Sequence, residues 1–261
     1  FLTVREAAPD LKIHISTQAN NLNWRTCKMW FDLGAERVNL ARELSLKEIA
    51  EIRKKLLEHM GTELDETVRL EAFVHGAMCM SFSGRCMLSD YMASRSSNRG
   101  DCAQPCRWNY HIVEEQRPGQ YMPVFENERG TFIFNSKDLC MLEYLPEMLE
   151  AGVDSLKIEG RMKSEYYTGV TVAAYRRAID ACCADPKNYR NNKALLNELM
   201  RELCMVSHRD YSTGFYLGAR GEQVYTTSSY MRDGDFIGIV LSCDPLAEGG
   251  YLCKISQRGN F

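Results

Sequence analysis

The chain has 261 residues, 45% of them hydrophobic, which is enough for one large packed domain or one domain and part of another. A formal net charge of −3 does not announce a nucleic-acid binder, although local basic patches remain open. No apolar run approaches the roughly 18 residues a membrane span needs, and the N-terminus lacks a basic segment followed by an apolar one.

In chain order, Leu11–Ile15 reads as a strand and Asn21–Leu33 as a helix that stops at Gly34. Arg37–Leu40 is a second strand. Ser45 with Glu48 three residues on is a capping-box signature, opening a helix to about Glu58. Leu70–Val74 is a third strand and Thr131–Phe134 a fourth. A helix over Leu142–Leu149, a fifth strand over Ser155–Ile158 and a long helix over Ser164–Ala184 complete the series. Strands alternating with helices imply parallel βα units. From about residue 208, Thr213–Gly218, Phe236–Val240 and Tyr251–Ile255 read as strands of a small all-β domain. The expected architecture is α/β: part of a TIM-like (β/α) barrel over residues 1–206, then an incomplete β domain over 207–261. A full barrel takes about 250 residues, so the remaining units are expected before Phe1, in a longer protein.

Residues 79–129 interrupt the rhythm with a Gly-, Ser-, Arg- and Cys-rich insertion after the third strand. Barrel enzymes build their sites at that strand end, and a connection this long is usually functional. It carries Cys79, Cys86, Cys102 and Cys106, with Cys140 just beyond. Eleven cysteines cannot all pair internally. Clustered thiols without a secretion signal point to a cytoplasmic metalloprotein. Cys27, Cys182, Cys183, Cys204, Cys243 and Cys253 are expected as small side chains, most of them buried. Thiolates on a glycine-rich loop suit an iron–sulfur cluster. Zinc stays open, because Cys102 and Cys106 also have structural-zinc spacing.

Other candidates sit at expected strand ends: Gln18 and Asn20, Arg42 and Glu43, and Glu159, Arg161 and Lys163, whose cations suit a carboxylate or phosphate. Turn and capping chemistry explains each of them equally well. His75 is a candidate proton donor, with Glu159 and Arg161 as further catalytic candidates; a satisfied structural histidine is the competing reading. Tyr91, Arg95, Arg99, Arg107 and Trp108 mix aromatic and basic character, as in surfaces that stack bases and hold phosphates, with a surface loop packed around its own cluster as the competing reading. Tyr166, Tyr167, Val170, Val172 and Tyr175 form a helical stripe expected in the core. No nucleophile elbow and no His-Glu-x-x-His helix appears.

The segment from Glu71 to Ser89 resembles the signature of peptidase family U32, the collagenase-like family, through Glu71, Phe73, Gly76, Ala77, Met78, Cys79, Gly84, Cys86, Leu88 and Ser89. His14–Asn20, Leu40–Ser45, Lys157–Ser164 and Thr213–Tyr216 resemble further blocks of that family. The likeness is closest to the branch that forms 5-hydroxyuridine in tRNA. It implies tRNA as partner, prephenate as a co-substrate and a 4Fe-4S cluster. Matched by position, the ligands it implies are Cys79, Cys86, Cys102 and Cys140, with Cys106 as an alternate. Separately from the resemblance, the strand-end positions of Gln18, Asn20, Arg42, Arg161 and Lys163 make them the candidate substrate-binding residues. The alternatives are a collagenase-like peptidase and a cluster-binding subunit of a hydroxylation complex, with a protein partner or homo-oligomer.

Overall fold

The computed structural model describes residues 1–61, 69–79, 81–108, 111–112, 115–116, 118–119, 122–123, 136–218, 231, 233, 238–246 and 249–257. A short helix α1 (Leu2–Ala7), not expected from the sequence, precedes strand β1 (His14–Ile15). Helix α2 (Trp24–Asp32) starts later than Asn21 because Asn23 is its cap, accepting from the Thr26 N–H at 3.0 Å. Asn21 is instead spent on tertiary bonding, its Nδ2 donating to the Asn39 carbonyl at 2.8 Å. Strand β2 (Arg37–Asn39) leads to helix α3 (Leu46–Met60), which opens on the Ser45–Glu48 capping box as the spacing predicts.

Strand β3 (Arg69–Ala77) is the centre of the sheet. Helix α4 (Leu88–Ala93) lies in the insertion, where β4 (His111–Ile112) and β5 (Met122–Pro123) pair antiparallel. The expected strand Thr131–Phe134 lies outside the described residues. Strand β6 (Asp138–Cys140), helix α5 (Leu145–Glu150), strand β7 (Ser155–Glu159) and helix α6 (Glu165–Ala184) follow. Helix α7 (Lys193–Cys204) was not read from the sequence, although its buried Leu196, Leu199 and Leu203 have helical spacing.

Strands β1, β2, β3 and β7 are all parallel, in chain order. Glu71 pairs with both β2 and β7, so those strands lie on opposite edges of β3; His75 and Gly76 pair with both β7 and β6. Thus β2 and β6 succeed one another along one edge, and β6 runs antiparallel. The result is an α/β fold with a parallel-rich sheet, and no closure into a barrel is seen among the described residues. Helices α2, α3, α5, α6 and α7 form a row, each touching the next. Leu70, Val74, Leu139, Ile49, Leu56, Leu142, Leu199 and Leu203 are almost fully buried between sheet and helices. Each such side chain contributes about 1.5–3 kcal/mol.

Three expectations change here. Thr213–Gly218 forms turns rather than a strand, and strand β8 (Tyr211–Ser212) precedes it, parallel to β6 in the main sheet. Tyr216 is buried and donates to the Phe73 carbonyl at 2.7 Å, tying this segment to β3. In the predicted aromatic stripe of α6, Tyr167 and Tyr175 are buried, while Tyr166 and Val172 are exposed. Strands β9 (Gly238–Pro245) and β10 (Tyr251–Gln257) pair with each other, and Cys243 is bonded to Cys253 across them rather than buried as a thiol. No helix of the described residues is long and apolar enough to cross a membrane.

Candidate metal and substrate site

The carboxyl ends of the four parallel strands converge on one rim, where open α/β sheets bind ligands. Beyond β1, Ser16 caps a 3-10 turn that ends at Asn20, in the left-handed region with φ 56°. The Thr17 hydroxyl donates to the Leu40 carbonyl at 3.0 Å and lies 3.3 Å from Ser83 Oγ. Beyond β2, Glu43 accepts from the Ser83 N–H at 2.7 Å and the Ser83 hydroxyl at 3.1 Å. These contacts pin the loop that carries the cysteines. Gly84 lies so close to the β1 end that a Cβ there would sit 2.1 Å from the Gln18 carbonyl oxygen, at φ +70°.

Arg42 is the hub of the rim. It is buried, its guanidinium carbon lies 3.7 Å from the Phe73 ring centroid, and its Nη1 donates to Cys79 Sγ at 2.8 Å. Its Nη2 lies 3.7 Å from Glu159 at the end of β7. Asn39, 1% exposed at the end of β2, has neither side-chain amide atom hydrogen-bonded among the described residues. Glu159 also accepts from the Arg161 N–H at 3.0 Å, and the Arg161 guanidinium lies beside Gly100 of the cysteine segment. The predicted residues Gln18, Asn20, Arg42, Glu159 and Arg161 therefore share this rim.

Cys79, Cys86, Cys102 and Cys106 come close enough to sense one another's charge. Burial pushes the Cys106 thiol up to about 11, Arg107 opposes this, and Cys79, Cys102 and Cys86 add to the rise. Cys79 is exposed as a residue. Its sulfur is nevertheless hemmed in, and desolvation raises its pKa ahead of the lowering effect of Arg42. At Cys86 desolvation also acts upward, but hydrogen bonds from the Leu88 N–H and from Ser97 and Ser81 outweigh it and lower the pKa. That thiol ionises most readily of the three, as a ligand or nucleophile should. The Gln104 N–H donates to Cys102 Sγ at 3.3 Å.

Cys140 is placed elsewhere. It pairs with His75 across β3 and β6, while Met78 is held by Ser136 at 2.8 Å. Continuing that register puts Ser136 at the level of Cys79, and at about 3.3 Å of rise per residue the four steps from Ser136 to Cys140 set Cys140 roughly 13 Å away along the strand. Its sulfur lies 3.8 Å from the Tyr175 hydroxyl, and burial raises its pKa to about 11.

His75 does not face the rim either. The β3–β7 register shifts between Phe73 and His75, and such a bulge breaks the alternation of side chains. His75 packs among Tyr167, Tyr175 and Tyr211, 1% exposed. Burial drives its pKa down to about 3, so the ring is neutral at physiological pH and is no proton donor there.

Lys163 is drawn inward as well. Its Nζ donates to the Ser207 carbonyl at 2.7 Å and lies 4.0 Å from Asp138. Desolvation lowers its pKa to about 8. Asp138 was missed in the sequence, where a short polar-flanked strand gives no periodic signal. It is fully buried and accepts from Arg107 at 2.9 Å and from the Arg209 N–H at 3.2 Å. Arg107 is thus part of the core rather than of an RNA-facing surface, and Arg95 is paired to Asp101 at 2.6 Å. Around the thiols, Phe82, Arg85, Met87, Tyr91, Arg99 and Trp108 remain exposed.

The model of peptidase family U32 matches residues 1–226. The chain is 39% identical over 261 residues to "tRNA hydroxylation protein P1" of Bacillus subtilis, covering 99% of this chain and 58% of that relative. It is 39% identical over 254 residues to "tRNA hydroxylation protein P" of Escherichia coli, covering 82% of this chain and 52% of the relative. A protein of Porphyromonas gingivalis named "Collagenase" is 33% identical over 211 residues, covering 80% of this chain and 49% of its own length. The chain therefore spans about half the length of the curated relatives it matches. No solved structure gives a significant match. A family match over most of the chain, with its signature cysteines gathered on the rim, makes this chain a member of peptidase family U32.

Proposed function

We propose that this chain serves in tRNA hydroxylation, through an iron–sulfur site held by Cys79, Cys86, Cys102 and Cys106. One observation carries the reading: these four thiols gather at the carboxyl edge of the parallel sheet, beneath exposed aromatic and basic side chains. The names of two relatives that cover most of the chain support the substrate class. The four parallel strands in chain order support a partial TIM-like barrel. Its contribution from this chain runs to about Gly218, since β8 pairs in the main sheet and the Tyr216 hydroxyl ties the following turns to β3.

The donor set fits the cluster. Four thiolates bring four negative charges, and Arg42 and Arg107 stand beside them to offset part of that charge. When bound, a 4Fe-4S cluster supplies one-electron transfer. The chain's own residues do the rest. Arg42 donates to Cys79 Sγ and fixes its rotamer against Phe73. Hydrogen bonds to Cys86 lower its pKa against the effect of burial and so favour the thiolate. Tyr91 and Trp108 offer faces for unstacked bases, with Arg85 and Arg99 for phosphates. Arg161, at the surface beside Gly100, suits a carboxylate of a co-substrate such as prephenate.

The test is anaerobic purification of the full-length protein with iron, sulfide and zinc analysis, joined to mass spectrometry of tRNA nucleosides. A deletion strain carrying Cys86→Ala should lack 5-hydroxyuridine, and the variant protein should lack iron. Protein holding zinc but no iron, or normal 5-hydroxyuridine in the deletion strain, overturns the reading. The relative named Collagenase motivates a peptidase alternative. Cleavage of gelatin by protease-free protein, abolished in Cys86→Ala, would establish it. Copurification of a second protein required for hydroxylation would instead make this chain a partner subunit.

A further inference from the structure

Away from the rim, three side chains of different chemistry meet at the end of α7. Cys204 Sγ, a ring nitrogen of His208 and a carboxylate oxygen of Asp233 lie within 4.8 Å of one another. Their backbones are pinned together. The Asp233 N–H donates to the Cys204 carbonyl at 2.9 Å, and His208 and Met231 exchange backbone hydrogen bonds of 3.0 and 2.7 Å. The three therefore meet because the chain path brings them together, not through chance rotamers.

The second observation is the condition of His208, which is 5% exposed. Its Nδ1 lies 2.8 Å from the Arg209 carbonyl oxygen. A carbonyl oxygen can only accept, so Nδ1 carries the proton and Nε2 the lone pair. Nε2 is buried and has no hydrogen-bond partner among the described residues. A backbone carbonyl holding one ring nitrogen while the other presents a bare lone pair is how metal-binding histidines are usually oriented. Tyr211 stacks on the ring at 4.7 Å and 13°, fixing its plane.

We propose that Cys204, His208 and Asp233 bind a divalent transition-metal ion, with zinc as the expected guest. Thiolate, neutral imidazole and carboxylate together carry two negative charges, which a divalent ion cancels. Mixed sulfur, nitrogen and oxygen donors are what zinc takes, whereas calcium and magnesium want oxygens. Zinc–ligand distances of about 2.0–2.3 Å put tetrahedral donors about 3.3–3.8 Å apart. The three atoms close by about 1 Å on binding, which rotation of the exposed Asp233 side chain permits. A water completes the fourth position. The ion joins the end of α7 to Asp233 and orients the ring stacked beside Tyr211. The same three residues do not form a nucleophile triad, because Nδ1 is held by Arg209 and Asp233 cannot orient it.

Full-length protein, isolated anaerobically and dialysed against a mild chelator, is titrated with zinc and assayed for bound zinc, iron and sulfide. Wild type should bind one more equivalent of zinc than Cys204→Ala. Asp233→Asn, at an exposed position that leaves the fold intact, should bind that equivalent at least tenfold more weakly. Zinc should raise the melting temperature of wild type and leave that of Cys204→Ala unchanged. Cobalt bound in place of zinc should show a thiolate charge-transfer band that Cys204→Ala lacks. Equal zinc stoichiometry in wild type and Cys204→Ala overturns the proposal. If the four rim thiols take zinc instead of a cluster, Cys106→Ala loses that separate equivalent, so the two readings fail independently.

Discussion

The cysteine rim and the Asp138 core lie side by side, joined by Arg107, and treat buried polarity in opposite ways. In the core, the charges answer one another. Asp138 accepts from Arg107 and from the Arg209 backbone, with Lys163 nearby, and Arg107 also donates to the Met78 carbonyl at 3.0 Å. The core needs no guest. At the rim, donors are aimed at sulfur: Arg42 at Cys79, Gln104 at Cys102, and the Leu88 amide at Cys86. Polar groups that satisfy one another hold a fold, whereas donors gathered around thiols prepare a place for something else.

The comparison breaks most sharply at Asp138. Asp138→Asn leaves Arg107, Lys163 and Arg209 buried without a carboxylate. Removing one partner of a buried pair costs about 3–5 kcal/mol, and denaturant unfolding should show a loss of that size. A loss below about 1 kcal/mol would mean that the cluster of charges is not structural.

His75 gives the next largest effect, and it depends on pH. Its folded pKa of about 3 lies below the unfolded value of 6.5, because burial disfavours the charged ring. Below about pH 6.5 the unfolded chain takes up a proton that the folded chain refuses until about pH 3. Stability therefore falls as pH drops through that window, by up to several kcal/mol. His75→Gln should flatten this part of the acid limb while leaving the slope near pH 7 unchanged. An acid limb identical to wild type would show that the imidazole titrates normally.

Much of this was legible in the sequence because the signals were local. The Ser45–Glu48 box, the Gly34 stop and the apolar periods of β3 and α6 each depend on near neighbours. The cysteine segment was legible for the same reason. What escaped depends on pairing across the chain. His75 carries two readings in the sequence, a proton donor at a strand end and a structural histidine, and only the bulge against β7, which turns it toward α6, decides for the second. Asp138 and Lys163 look like surface charges until Arg107 and Arg209, tens of residues away, enclose them. Cys140 was matched by position along the chain, and position says nothing of its burial against Tyr175.

The choice between Cys106 and Cys140 sharpens the comparison further. Cys106→Ala should lower iron to well under half of the wild-type content, with stability changed by about 1 kcal/mol. Cys140→Ala should keep its iron and lose about 1–2 kcal/mol, for a small buried side chain that packs beside Tyr175. The opposite pattern would mean that β6 rearranges to bring Cys140 to the rim when the cluster is bound.

The smallest effect belongs to the outermost layer of the rim. Tyr91 is 86% exposed on α4, so its ring buries nothing in the fold. Tyr91→Ala should leave stability within about 0.5 kcal/mol of wild type. If the ring stacks on a base, it contributes about 1–3 kcal/mol to binding, and tRNA affinity should fall roughly tenfold. Arg85→Ala and Arg99→Ala should act differently: each removes a phosphate contact and lowers the slope of log affinity against log salt by about 1. A tyrosine that changed the salt slope, or arginines that changed affinity without it, would mean that RNA meets this surface in some other way. Unaltered tRNA affinity in all three would move the RNA contact off the cysteine rim and leave the thiols to serve a substrate held elsewhere.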